Sequence, residues 1–165
     1  PALTRTYQAP GSAVFKAHIG WQLVQLGYTG GLYNAFYHSL FGKGGSCTSP
    51  VPYMDVWDAL ALFKSCGGAV VLAHPSVYHS MDLAKELVQK GLLDGIEVEH
   101  PHNLPKDKIL LKALAEKNGL IVTGGSDFHG AFTGTPQHIG KFTVSNQVSA
   151  RLLVISLKRN NNSCE

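Results

Sequence analysis

The spacing of apolar and polar positions changes twice along the chain and divides it into three parts. In residues 1–54 two stretches have apolar residues at helical spacing, and residues 46–52, with two prolines, are predicted to be extended. This part is therefore predicted to be a small helical subdomain and its connection to the next part. Residues 55–157 alternate helical spacing with short β-branched runs, which predicts alternating helices and strands. Residues 158–165 are a polar tail, which we expect to be disordered from Asn160 onward.

The order of the predicted elements indicates the fold class. Helices are predicted over residues 14–26, 32–40, 55–64, 80–90, 105–118 and 147–157. Strands are predicted over residues 69–73, 94–99 and 120–123, with a weaker candidate at 142–144. Strands separated by helices of this length form parallel βαβ units with right-handed crossovers. The sequence therefore predicts an α/β fold built on a parallel sheet.

Each predicted strand carries or precedes side chains that can bind a metal ion. They are His74 after the first strand, Glu97 within the second, His100 and His102 after it, and Asp127 and His129 after the third. Because parallel strands end at the same edge of a sheet, we expect these groups to gather there. Imidazole and carboxylate suit zinc, manganese or iron, and a bound ion lowers the pKa of its water.

Most of these residues also have an interpretation without a metal. His74 precedes a proline and fits a hydrogen-bonded turn, Asp127 fits the cap of the following turn, and His100 and His102 fit a solvated loop. Glu97 is harder to assign in this way, because a carboxylate within an apolar strand is costly unless it is paired or bound. The joint arrangement favours a metal site over these separate interpretations.

Composition and charge exclude several classes of protein. With 165 residues and 44% hydrophobic content, the chain can bury one core of ordinary size. The 14 Lys and Arg against 11 Asp and Glu give a net charge of +3, too small to indicate nucleic-acid binding by charge alone. The three cysteines form no zinc motif and suit a reducing compartment, so we expect a cytoplasmic protein. No apolar run is long enough to span a membrane, and we expect no membrane partner.

Three segments together resemble a known family. Residues 73–75 (Ala-His-Pro), 95–98 (Gly-Ile-Glu-Val) and 123–130 (Thr-Gly-Gly-Ser-Asp-Phe-His-Gly) resemble the later motifs of the PHP (polymerase and histidinol phosphatase) superfamily. Within it, they are similar to the bacterial phosphoesterases of the nucleoside 3′,5′-bisphosphate phosphatase and 5′-3′ exoribonuclease branch. The resemblance covers about residues 14–140, and the Ser-Asp-Phe-His segment is its most specific part.

This resemblance implies a fold, a cofactor and a reaction. The fold is the carboxyl-terminal part of a distorted (β/α)7 barrel, with the helical subdomain inserted beside it. The cofactors are divalent ions (manganese, zinc or iron), up to three in the full-length protein, and His74, Asp127 and His129 match ligand positions. The reaction is hydrolysis of a phosphoester by metal-bound hydroxide, without a side-chain nucleophile. The substrate is a phosphorylated small molecule or a short nucleic acid.

The resemblance also leads us to predict a substrate-binding set. Its members are Lys16, His18, Lys43, Glu97, His100 and His102. The first three match or adjoin basic or histidine positions of the inserted subdomain and favour an anionic substrate, although Trp21 stands where many relatives have arginine. His100 and His102 compete for one histidine position, and the sequence leaves both open.

The family's opening His-x-His pair and its next acidic and histidine ligands have no counterpart in this sequence. We expect that the chain is the carboxyl portion of a longer protein and that the amino-terminal half of the barrel is its missing partner. We expect weak metal binding and slow hydrolysis from the isolated chain. The alternatives are a non-catalytic half-barrel that serves as scaffold or binding module, and an amidohydrolase-like hydrolase.

Overall fold

The chain folds into two compact units in a computed structural model that describes residues 13–130, 132 and 138–162. The first unit comprises residues 1–52 and 128–136, and the second comprises residues 53–127 and 137–165. All strands of the described residues lie in the second unit, whereas the segment that begins at Phe128 belongs to the first.

The first unit contains two helices, α1 (Lys16–Gln25) and α2 (Ala35–Phe41), near the positions that the apolar spacing predicts. Helix α2 begins after Asn34, whose side chain accepts a hydrogen bond from the Tyr37 amide at 3.0 Å. Gly20 on α1 is buried, and a Cβ there would lie 2.7 Å from Leu32 Cδ2. Glycine at this position therefore lets the segment before α2 approach α1 closely.

The second unit is a parallel sheet with helical connections. Its elements in chain order are α3 (Val56–Ser65), β1 (Val71–Leu72), α4 (Met81–Gln89), β2 (Gly95–Glu99), α5 (Pro105–Lys117), β3 (Ile121–Gly124) and α6 (Asn146–Asn162). The strand order is β1-β2-β3, and both pairings are parallel, with Val71 opposite Gly95 and Gly95 opposite Ile121. The prediction of an α/β fold with parallel βαβ units is confirmed.

The core of the second unit lies between the sheet and its helices. Helix α4 contributes Ala84, Leu87 and Val88, which share one face at positions i, i+3 and i+4. The other buried apolar residues are Leu60, Val70, Leu93, Ile96, Val98, Leu111, Ala115 and Ile121. Each fully buried leucine, isoleucine or valine side chain contributes about 1.5–3 kcal/mol relative to an exposed one, so this cluster holds the sheet to its helices.

Helix α6 is longer than its predicted range, which ended at residue 157. It continues to Asn162 and so includes part of the segment that was predicted to be a polar, disordered tail. Arg159 explains the difference, because its guanidinium pairs with both oxygens of Asp94 at 2.7 and 2.8 Å and donates to the Gly68 carbonyl at 2.6 Å. Residues 163–165 of the predicted tail lie outside the described residues.

The weaker strand candidate at 142–144 was wrong, because these residues form no strand. The aromatic ring of Phe142 instead lies beneath the ammonium groups of Lys108 and Lys141, at 4.9 and 5.8 Å from its centroid. Among the helices of the described ranges, none has both the length and the apolar character required to cross a membrane.

Strand β3 approaches β2 so closely at its end that only glycine fits, and this predicts a test by substitution. A Cβ at Gly124 would lie 2.6 Å from the Glu99 Cβ and 2.7 Å from the Glu99 carbonyl oxygen. We expect Gly124→Ala to lower the free energy of unfolding by about 1–3 kcal/mol, measured by chemical denaturation, because these strands must separate.

The neighbouring glycine provides the matched control. A Cβ at Gly125 meets its nearest atom, Glu97 Oε1, at 3.5 Å, an ordinary contact distance. Gly125→Ala should therefore change the free energy of unfolding by no more than about 0.5 kcal/mol. Equal effects of the two substitutions would contradict the close approach at Gly124.

Candidate metal centre

His74 lies just beyond β1 in an unfavourable backbone conformation. Its φ of 28° falls in the left-handed region, which costs a residue other than glycine about 1–3 kcal/mol. The surrounding structure holds it there: the His74 amide donates to Glu97 Oε2 at 2.9 Å, and the His74 carbonyl accepts from the Val77 amide at 3.0 Å. The chain therefore turns sharply at the residue that carries the first imidazole.

Glu97 projects from β2 on the face opposite to the core. Its neighbours Ile96 and Val98 are fully buried, whereas Glu97 is only partly buried, as the alternation of a strand requires. The register with β3 shifts at this point, so that Glu97 lies opposite Thr123 and Glu99 opposite Gly124. Such irregularities redirect side chains at sheet edges and next to functional sites.

His100 follows β2 directly and is the most buried titratable group of the centre, with only 2% of its surface exposed. Its ring centroid lies 4.9 Å from that of His74, and its Nε2 lies 3.6 Å from Asp127 Oδ2. Asp127, which follows β3, also has a left-handed backbone, with φ of 50°. All three strands thus contribute a polar group to this edge of the sheet.

The donor atoms at this edge fit a divalent metal ion. His74, Glu97 and His100 each offer one ligand atom, and these atoms lie within 4.8 Å of one another. Within the described part of the chain, the buried atoms His74 Nδ1 and His100 Nε2 have no hydrogen-bond partner. A buried nitrogen without a partner is costly, and an ion between two imidazoles and a carboxylate would satisfy both nitrogens.

The protonation state of His100 is linked to its surroundings. Its Nδ1 accepts a hydrogen bond from the His102 amide at 3.2 Å, so a neutral ring carries its proton on Nε2, towards Asp127. Burial holds the pKa of His100 below its usual value, and the imidazoles of His74 and His102 add to this, while the carboxylates of Glu97 and Asp127 oppose it. The ring is therefore neutral near pH 7. Binding a metal through Nε2 requires the other neutral tautomer, in which the proton lies on Nδ1 and the hydrogen bond from the His102 amide is lost.

The structure brings together only part of the residue set that the sequence singled out. His74, Glu97 and His100 form one cluster, and Asp127 lies beside it through His100. His102 is exposed, and its ring lies 5.6 Å from the ring of His100. Of these two histidines it is His100 that offers a ligand atom to the cluster. His129 is exposed and belongs to the first unit. The assignment of His74, Asp127 and His129 as metal ligands stays a prediction.

The remaining residues of the predicted substrate-binding set lie in the first unit. Lys16 begins α1 and Lys43 follows α2, and both are exposed. His18 is half-buried: its Nδ1 accepts from the Phe15 amide at 3.2 Å, and the Phe132 ring packs edge-on against it at 5.2 Å. None of these observations tests phosphate binding, so the role of the three residues in it stays a prediction.

Sequence reasoning missed a group of buried polar residues next to the centre. Ser76, Asn103 and Asp107 have 7%, 3% and 8% of their surface exposed and are joined by hydrogen bonds. The only signal in the sequence is an asparagine two residues before the proline that starts α5, a position that also fits an ordinary turn.

Comparisons with known proteins find similarity to phosphoesterases. No protein-family model matches the chain. It is 39% identical over 129 residues to a phosphoribosyl 1,2-cyclic phosphate 1,2-diphosphodiesterase of Eggerthella lenta, a match that covers 78% of this chain and 48% of the relative. It is 31% identical over 125 residues to the 5′-3′ exoribonuclease Rnm of Escherichia coli, covering 73% of this chain and 42% of the relative.

Two further matches are of the same kind. A 3′,5′-nucleoside bisphosphate phosphatase of Chromobacterium violaceum is 28% identical over 124 residues, covering 70% of this chain and 42% of the relative. A crystal structure from Bifidobacterium adolescentis, described as a metal-dependent phosphoesterase, superposes with a TM-score of 0.68 at 28% identity and covers 93% of this chain and 54% of that one. The chain thus spans about half the length of the curated relatives it matches.

The chain is therefore similar to several phosphoesterases, one of which is described as metal-dependent. The relatives are a cyclic-phosphate diphosphodiesterase, an exoribonuclease and a bisphosphate phosphatase, which confirms the resemblance to the phosphoesterase branch of the PHP superfamily.

The lowered pKa of His100 predicts a stability change with pH in the metal-free chain. Because folding favours the neutral ring, the unfolded chain takes up the proton first as the pH falls. We expect the contribution of His100 to the free energy of unfolding to be complete above about pH 6.5 and to decrease as the pH falls below that value. Urea denaturation with a chelator present, across this range, measures the effect.

The control for this prediction is the variant His100→Gln, which cannot titrate. Its stability should fall less steeply below about pH 6.5 than that of the unmodified chain. A nuclear magnetic resonance titration of His100 with a midpoint above the usual histidine value would contradict the prediction.

Proposed function

We propose that this chain carries part of the divalent-metal site of a phosphoester hydrolase. The observation that supports this most strongly is the cluster of His74, Glu97 and His100, in which two buried imidazole nitrogens lack a hydrogen-bond partner within the described residues. A structural role would leave these nitrogens unsatisfied, whereas metal binding uses both of them. The named activities of the relatives are consistent with this chemistry.

We also propose that the sheet is part of a distorted (β/α)7 barrel. In the described residues, β1 and β3 each pair with β2 only, so one side of each outer strand has no strand beside it. Parallel sheets are normally covered and are rarely left with open edges. The remaining strands would come from an amino-terminal half of the barrel, which accords with the share of the relatives that the chain spans.

The proposed roles of the residues follow from their chemistry. A bound divalent ion supplies Lewis acidity, which activates water and offsets the charge that develops on the phosphate. His74, Glu97 and His100 hold the ion, and Asp127 and His129 provide the further ligands that the family resemblance implies. The carboxylate of Asp127 lies 3.6 Å from His100 Nε2, on the side of the ring to which the N–H of the metal-free chain points. Manganese, zinc and iron all suit this donor set, with up to three ions in a complete site.

The proposed substrate is a phosphorylated small molecule or a short nucleic acid. The relatives are named for a cyclic ribose phosphate, for RNA and for a nucleoside bisphosphate, all of which carry phosphate on a ribose. Lys16, His18 and Lys43 would bind the phosphate groups, because cationic and hydrogen-bonding side chains stabilise the charge of such substrates. A nucleoside 3′,5′-bisphosphate and a 5′-phosphorylated RNA are therefore the substrates to test.

Metal binding by the purified chain tests the proposal directly. We expect His74→Ala and Glu97→Gln each to raise the dissociation constant for manganese or zinc by about tenfold or more, because loss of even the groups that support a ligand has this effect. Isothermal titration calorimetry measures the change. His138 is exposed and is not one of the residues of the cluster, so His138→Ala is the matched histidine control and should leave the affinity unchanged.

The same preparations are then assayed for hydrolysis with manganese. Slow turnover that disappears in His74→Ala and persists in His138→Ala supports the hydrolase. Metal binding without turnover of either substrate favours the non-catalytic binding module. Equal metal affinity in His74→Ala and His138→Ala would contradict the assignment of the centre.

The phosphate-binding role of the first unit predicts a separate effect. We expect Lys43→Gln to weaken binding of a nucleoside 3′,5′-bisphosphate by about threefold to tenfold, since one charge-assisted contact to phosphate is lost. Fluorescence or calorimetric titration measures this affinity. Lys112→Gln removes another exposed lysine, on α5, and should have no effect. The same affinity in both variants would remove Lys43 from the substrate-binding set.

A further inference from the structure

Asn103 joins the two loops that carry the histidines of the centre. It lies in the loop between β2 and α5, and its side chain is 97% buried, with only 3% of the residue exposed. Its amide nitrogen donates to the carbonyl oxygens of Glu97 at 2.9 Å and Val98 at 3.1 Å. Its amide oxygen accepts from the backbone amide of Ser76 at 3.2 Å. One side chain thus connects the end of β2 to the loop that follows β1.

Ser76 extends this connection to helix α5. Its hydroxyl donates to Asp107 Oδ2 at 2.8 Å and accepts from the Leu104 amide at 3.2 Å. Asp107 lies in the first turn of α5, where a carboxylate is also favoured by the helix dipole. Both ends of the Ser76–Asp107 hydrogen bond are buried, so water cannot replace either partner without opening the loop.

The connected atoms are close in sequence to the groups of the metal centre. Ser76 lies two residues after His74, whose left-handed backbone requires support from its surroundings. Glu97 supplies a carboxylate to the cluster and a carbonyl to Asn103, and Asn103 itself donates its backbone amide to the His100 carbonyl at 3.3 Å. Loss of the Asn103 side chain would therefore leave the bond from the His74 amide to the Glu97 carboxylate, but it would remove the bonds that hold Ser76 to the end of β2.

We propose that Asn103 is a positioning residue of the metal centre, and that its amide, supported by Ser76 and Asp107, sets the separation of the His74 and His100 rings. Asn103 is not one of the groups that offer a ligand atom in the cluster. Its significance for metal binding rests on the proposed function, but the ring separation is a property of the metal-free chain. The positioning role of Asn103 and the proposed metal binding can therefore be refuted independently of each other.

The test compares Asn103→Ala with the unmodified chain in the presence of a chelator. The ring centroids of His74 and His100 lie 4.9 Å apart, close enough for a nuclear Overhauser effect between their ring protons. We expect this effect in the unmodified chain and its loss in Asn103→Ala. In the same variant, the dissociation constant for zinc should rise by about 10- to 100-fold, the range found when groups that orient metal ligands are removed.

Ser76→Ala provides a second, milder variant in case Asn103→Ala does not fold. It removes the hydroxyl that links Asp107 and Leu104 but keeps the backbone amide that donates a hydrogen bond to the side-chain oxygen of Asn103. We expect a weaker Overhauser effect and an affinity between those of the unmodified chain and Asn103→Ala. Asn118→Ala, which removes an exposed asparagine that donates to the Leu114 carbonyl, should change neither measurement.

A core variant separates positioning from general loss of stability. Val88 is buried on α4 and belongs to neither loop, so Val88→Ala should lower the melting temperature while retaining the ring contact and the zinc affinity within twofold. The proposal is overturned if Asn103→Ala, or a folded Ser76→Ala in its place, keeps the His74–His100 contact of the unmodified chain. If the unmodified chain shows the ring contact but binds no metal, the proposed function fails and the ring contact in the variants still decides the role of Asn103.

Discussion

The parallel alignment of three short strands is the constraint on which the rest of the second unit depends. Each crossover helix returns the chain to the end of the sheet where the previous strand began, so all three strands run in the same direction. Groups that are far apart in sequence therefore meet where the strands end. His74, Glu97, His100 and Asp127 reach one edge for this reason. The helices α4 and α5 that make the crossovers also supply most of the apolar residues that cover the sheet. Burial of the core and assembly of the centre are thus consequences of one topology.

Assembly of the centre has an energetic cost that contacts with the surrounding structure must offset. His74 and Asp127 both have left-handed backbones. Within the described residues, the buried nitrogens His74 Nδ1 and His100 Nε2 have no hydrogen-bond partner. Such conformations persist only where the neighbouring residues fix them. For His74 this support comes from the bond of its amide to Glu97 Oε2 and from the bond that its carbonyl accepts from the Val77 amide. The arrangement is typical of a site that is organised before its ligand arrives.

Much of this organisation could be predicted from the sequence, because it depends on local patterns. The β-branched runs and the glycines that follow the helices located all three strands, and the polar residues at their ends located the candidate centre. Contacts between distant residues could not be predicted in this way. Helix α6 extends past residue 157 because Arg159 meets Asp94, which is 65 positions away, and a polar composition gives no sign of such a pair.

The same limit applies to the site. The spacing of His100 and His102 left both open, and burial decides between them, since His100 is 2% exposed and packs against His74. Asn103 was missed because an asparagine near a proline fits a turn equally well, and its three contacts depend on the folded positions of Ser76, Glu97 and Val98. Side chains that act through tertiary hydrogen bonds carry little signal in a single sequence.

The pairing of Arg159 with Asp94 has a consequence for how this sheet can vary over evolution. Asp94 and Gly68 precede β2 and β1, so the guanidinium fastens α6 where those strands begin, whereas His74, Glu97 and His100 gather where the strands end. The contacts that anchor α6 therefore lie at the end of the sheet where the strands begin, and the candidate metal centre lies at the opposite end. (β/α)8 barrels divide stability and activity between their two ends in the same way. Substitutions among His74, Glu97 and His100 therefore remove no atom of the contacts that Arg159 makes with Asp94 and Gly68.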